Sequence, residues 1–134
     1  MQHLQASAMT PLSARQYLIC AIFGGVLWFA AAFLLRYVGP LGVYEGSGRA
    51  LLYGLVVPGT VPFVFMIRWA AGLTKAQTAL AVAFATASAL VLDGMATAWM
   101  PGLYGATDAL VLGAAAAILW GGGVAIFLGF LFSR

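Results

Sequence analysis

Four long apolar stretches alternate with short polar or turn-forming ones along the chain. Residues 17–35 carry no charge between Arg15 and Arg36, and residues 49–67 follow a Gly-rich loop. A third stretch from Lys75 to Trp99 holds one carboxylate, Asp93, and a fourth follows Asp108 to the end. A spanning helix needs about 20 mostly apolar residues. The pattern therefore predicts spans at about 16–38, 49–68, 75–99 and 108–132, with 15–134 forming one domain.

Local signals mark the ends. The first span stops at Arg36-Tyr37-Val38-Gly39-Pro40, an interfacial charge and aromatic followed by a Gly-Pro break. Thr74 and Gln77 stand in the spacing of a capping box before the third, and Met100-Pro101-Gly102 ends it. Within the second span lie Pro58, Gly59 and Pro62. Each proline removes an amide donor and crowds the preceding turn, which predicts a kinked or locally unwound helix there. Residues 1–14, MQHLQASAMTPLSA, read as a flexible tail. The first apolar run is 19 residues long, beyond the roughly 7 to 15 of a signal-peptide core, so it reads as an uncleaved helix.

Composition agrees with this picture. Hydrophobic residues make up 64% of the 134 and charged residues only 7%, whereas a soluble domain averages about 25% charged. The fold class is accordingly all-α, an integral membrane four-helix bundle. Arg15, Arg68, Lys75 and Arg134 gather at one set of helix ends and Arg36 and Arg49 at the other, which places both termini in the cytoplasm of a bacterial inner membrane. The net charge of +3 is scattered, with no basic cluster to follow a phosphate backbone, which argues against nucleic acid as a partner. The single cysteine, Cys20, excludes an internal disulfide, and the single histidine, His3, excludes a haem held by two histidines. No metal or other cofactor is expected.

Asp93 is the residue that the lipid-like pattern does not explain. At 1.5 Å per residue it lies roughly 27 Å from Lys75 and roughly 9 Å from Trp99, in the outer third of the membrane. Arg36 and Arg49 reach the same depth from the first and second helices. A carboxylate in hydrocarbon costs about 2.5 to 3.5 kcal/mol unless it faces the bundle and finds a partner, and a guanidinium offers two parallel donors. The expectation is that Asp93 pairs with Arg36 first and Arg49 second. Such a pair serves either as a latch between helices or as a proton or cation site.

Gly113, Ala117, Gly121, Ala125 and Gly129 recur every four residues in the last span, a row of small side chains that lets helix backbones approach closely. Its partner is either an alanine face such as Ala79, Ala83 and Ala87 or another subunit. Gly121, Gly122 and Gly123 allow a bend opposite the Pro58 to Pro62 break. Trp69, Trp99, Tyr37, Tyr44 and Tyr104 fall near the interfaces and read as headgroup anchors. Trp28 and Trp120 lie deeper, as core residues or as contacts to a ligand or pigment.

Trp28, the run Phe33-Leu34-Leu35-Arg36-Tyr37-Val38-Gly39, then Leu90-Val91-Leu92-Asp93-Gly94 with Pro101 and Tyr104, and a glycine-rich last helix resemble a family of small bacterial four-helix membrane proteins. That family is catalogued as a domain of unknown function. The resemblance covers roughly residues 16–132 and implies the four-span fold and the interest of Arg36 and Asp93, but no activity. Small multidrug transporters are similar only in span number, since they carry an essential acid in the first helix and this first helix has none.

No nucleophile with a base, paired carboxylates or phosphate loop appears at usable spacing, so an enzyme is not expected. Two functions remain. One is an accessory or assembly subunit that packs against a larger inner-membrane complex, in contact with membrane lipid. The other is a small oligomeric transporter or channel that uses Asp93. A cavity joining Asp93 to the Pro58 region would favour the second, and a filled bundle the first.

Overall fold

The computed structural model describes residues 11–134, which are helical with no strand. Four long helices follow one another: α1 (Ala14–Val38), α2 (Gly46–Ala71), α3 (Thr78–Trp99) and α4 (Asp108–Leu131). All four are long and apolar enough to cross a membrane, so the chain is a multi-pass membrane protein. The expected spans fall on them within three residues at each end. Short 3₁₀ turns at Gly39–Leu41, Lys75–Gln77 and Pro101–Leu103 complete the connections.

Residues 11–14, expected in the tail, belong to the folded bundle. Residues 1–10, with His3, lie outside the described residues, but Leu12 is buried in the core and Ser13 caps α1. Ser13 and Gln16 form a capping box, and Thr74 and Gln77 form the expected second one. The two boxes interlock. Gln77 Nε2 donates to Gln16 Oε1 at 3.2 Å and to the Pro11 carbonyl at 3.1 Å, while Gln16 Nε2 donates back to Gln77 Oε1 at 3.4 Å. Helix-end amides that would otherwise need water are thus tied into one polar clasp. We call this the Gln77 end of the bundle.

The expected unwinding at Pro58, Gly59 and Pro62 does not occur, because α2 runs unbroken through both prolines. Hydrocarbon offers no water to an opened backbone, so each amide that can bond within the helix is held there. The Thr60 hydroxyl adds a bond to the Val56 carbonyl at 2.6 Å. The glycine triplet likewise stays within α4.

Helix α1 packs against α3, α3 against α4, and α4 against α2, whereas the α1–α2 seam is sparsely joined. Small residues make the close approaches. A side-chain carbon added at Gly24 would overlap the Ala85 carbonyl of α3, and one at Gly129 would lie 2.9 Å from Val82 Cβ.

The row on α4 is used inside the bundle. A step of four residues overshoots a 3.6-residue turn by about 40°, so the row winds around the helix and meets different neighbours along its length. Gly113 lies under the Tyr44 ring, Gly121 faces Val56 of α2, and Gly129 faces Val82 of α3. Ala117 is buried, and Ala125 packs on the core near Val82 and Leu128. The face of α3 turned to α4 presents Val82, Thr86 and Leu90, while of the row Ala79, Ala83 and Ala87 the first is buried, the second half-buried and the third exposed.

Gly24→Ala should lower unfolding stability in detergent micelles by about 1–3 kcal/mol, the usual cost of overpacking. Gly25 has only Leu92 Cδ1 at 3.8 Å near its added carbon, so Gly25→Ala should be neutral or stabilising. Equal losses in the two variants would show that the α1–α3 contact is not as close as described.

Candidate intramembrane site

The buried residues of α3 are Thr78, Ala79, Ala81, Val82, Ala85, Asp93 and Ala96, spaced as one helix face. Asp93 therefore faces the bundle, with 8% of its surface exposed. Met100 leaves helical geometry at φ −134° and ψ 55°, and Pro101 starts a 3₁₀ turn. This turn folds the chain back and inserts Tyr104, fully buried, against Asp93. Tyr104 Oη donates to Asp93 Oδ1 at 2.7 Å, and Trp28 Nε1 of α1 donates to Tyr104 Oη at 3.0 Å.

The chain of donors has a fixed direction. An indole N–H can only donate, so the phenol must accept from Trp28 and direct its own proton to Asp93. Oδ1 is thereby committed as an acceptor, and any proton on Asp93 sits on Oδ2. Among the described residues no donor reaches Oδ2, and no sealed side-chain polar atom lacks a partner. Oδ2 thus lies at an accessible surface, and Asp93 lines a cavity.

The expected ion pairs do not form. Arg36 donates to the Gly102 carbonyl, Arg49 is exposed, and Asp93 is joined to Tyr104. A buried ion pair must repay the desolvation of two charges, whereas a phenol supplies a donor at lower cost and leaves the guanidinium near water. Asp93 and Arg36 nevertheless hold the same turn, one through the Tyr104 side chain and the other through the Gly102 backbone. Tyr104, read from the sequence as a headgroup anchor, is the main partner of Asp93. The signal for it was the Met100-Pro101-Gly102 stop, tight enough to bring the next side chain back over the end of α3.

The cavity has a volume of about 360 Å³ and takes walls from all four helices. Among its lining side chains Asp93 alone is charged; Thr60, Thr86 and the Trp28 indole are the other polar ones. Thr60 already spends its hydroxyl proton on Val56. Along α3 the lining extends from Asp93 to Val82, about 16 Å at helical rise, so the space joins the carboxylate to the Pro58–Pro62 segment at Thr60. Ala30, Ala31, Leu34 and Phe63 line it yet are exposed. The cavity therefore opens sideways at the α1–α2 seam. Trp120 lies elsewhere, stacked on Tyr53 and donating to the Tyr53 carbonyl. Among the described residues no three His, Cys, Asp or Glu side chains gather as metal ligands.

Burial first, and then the hydrogen bond to Asp93, hold the Tyr104 phenol well above its ordinary value of 10.0. A group whose folded pKa is raised contributes stability in full below its unfolded pKa and loses it as pH rises beyond. Tyr104 should therefore contribute fully below about pH 10 and weaken the fold above it. In an ultraviolet titration of the folded protein, the Tyr104→Phe difference should show no phenolate from this residue at about pH 10, where a free phenol is half ionised. A phenolate from this residue at that pH would contradict the buried placement.

No family model, curated protein or solved structure matches the chain.

Proposed function

We propose that this protein is a small membrane transporter in which a ligand occupies the interhelical cavity and Asp93 exchanges a proton as it moves. The observation that carries this reading is the continuous space between Asp93 and Thr60. An intramembrane acid facing such a cavity is a common mark of a transport pathway. Asp93 stands toward one end of the membrane, but the cavity extends from it past the middle of the bundle. Oδ2 supplies the exchangeable position while Oδ1 keeps the Tyr104 turn in place. The process needs no covalent step, consistent with a non-enzymatic role.

An accessory role in a larger complex draws its support from an unpaired packing face, and the small-residue row is occupied within the bundle. The ring of exposed apolar residues, including Leu18, Phe29, Leu119 and Phe127, is suited to membrane lipid. Arg15, Arg68, Lys75 and Arg134 at the Gln77 end, against Arg36 and Arg49 at the other, support an orientation with both termini in the cytoplasm of a bacterial inner membrane.

The test uses proteoliposomes loaded with a pH-sensitive dye, an imposed proton gradient and a panel of amines, acids and neutral solutes. At least one class should drive proton movement through the wild type, and Asp93→Asn should abolish it while folding normally. A response to no class, or one that Asp93→Asn retains, contradicts transport through this site.

A further inference from the structure

We propose that the ligand of this cavity is an amphipathic organic cation, its apolar body between the helices and its positive head against Asp93 Oδ2. The inference rests on the transport reading of the same cavity and names its substrate class. Three features of the wall select for such a molecule.

The first is the distribution of polarity. The cavity is apolar along its length apart from threonines, the Trp28 indole and one carboxylate near one end. A sugar or amino acid would leave several polar groups unpaired there, each costing its desolvation. An apolar body with one polar head leaves none.

The second is charge. From the elements packed around Asp93, α1 brings Trp28, the Pro101 turn brings Tyr104, and α2 and α4 bring only uncharged side chains to the cavity. Arg36, the cation expected beside the acid, is turned onto the Gly102 carbonyl. Among the described residues the carboxylate thus has no counter-ion, and a ligand cation can supply it. Phe23, Trp28 and Phe63 line the same space, and aromatic rings attract a desolvated cation.

The third is the route. The exposed lining residues Ala30, Ala31, Leu34 and Phe63 place the opening at the α1–α2 seam, toward lipid. Amphipathic cations partition into a bilayer, so the ligand can enter from the membrane rather than from water. A neutral lipid chain could use the same opening, but it would make no use of the carboxylate.

The experiment compares two ions of the same shape and opposite charge, tetraphenylphosphonium and tetraphenylborate, by equilibrium dialysis with the purified full chain in non-ionic micelles. Binding is read above that of Ala89→Phe, in which a ring at a lining position of α3 fills the cavity. Wild type should bind the phosphonium at least about tenfold more tightly, or about 1.4 kcal/mol, although the net charge of +3 opposes this preference. Asp93→Asn keeps an acceptor for Tyr104 and should lose the selectivity while still binding above Ala89→Phe. Equal binding of the two ions, binding that Ala89→Phe matches, or selectivity that Asp93→Asn retains would each overturn the proposal. Charge-selective binding without proton movement in proteoliposomes would refute transport and leave the ligand class standing. Proton movement without charge selectivity would do the reverse.

Discussion

A carboxylate surrounded by hydrocarbon must be given a donor, and in this bundle the donor is the Tyr104 hydroxyl. The bond at 2.7 Å fixes where the α3–α4 connection folds, since Tyr104 must be brought back over α3 to reach Asp93. Trp28 ties α1 to the same point. One buried oxygen thereby joins two helices and a turn, and Arg36 secures that turn again through Gly102. The far end of the bundle uses neutral amides instead, in the interlocked Gln16 and Gln77 caps. Between these two polar fastenings the helices meet mainly through apolar contact, with the Trp120 indole bonded to the Tyr53 carbonyl besides.

That contact is uneven, and the unevenness makes the cavity. Gly24 lets α1 close on α3, and Gly129 lets α4 close on α3. Where glycine and alanine allow backbones to touch, dispersion and packing hold the helices without any hydrophobic drive between them. No comparable seam joins α1 to α2. The space left there runs beside Asp93, so the same arrangement that satisfies one carboxylate oxygen leaves the other facing an opening.

Much of the fold was legible because it depends on properties summed over many residues. Apolar length located four helices, and the Thr74–Gln77 spacing located a cap. The four-residue row on α4 meets different neighbours along the helix because a four-residue step winds around the axis. The site was only partly legible. Depth along each helix placed Arg36 near Asp93, and both do hold one turn, but depth carries no information on direction around the helix axis or on competing acceptors. The Gly102 carbonyl, which captures Arg36, depends on a backbone turn rather than on residue type. Tyr104 was missed for the same reason, and Leu12 and Ser13 were assigned to a tail because a single apolar residue and a single cap are weak signals beside a long span.

A double-mutant cycle between Asp93→Ala and Tyr104→Phe, read as unfolding stability in micelles, measures the coupling on which this arrangement depends. A coupling of about 1–3 kcal/mol is expected for a buried hydrogen bond to a carboxylate, with little in a parallel cycle between Asp93→Ala and Arg36→Ala. Additive effects of Asp93 and Tyr104, or a larger coupling of Asp93 to Arg36, would contradict it.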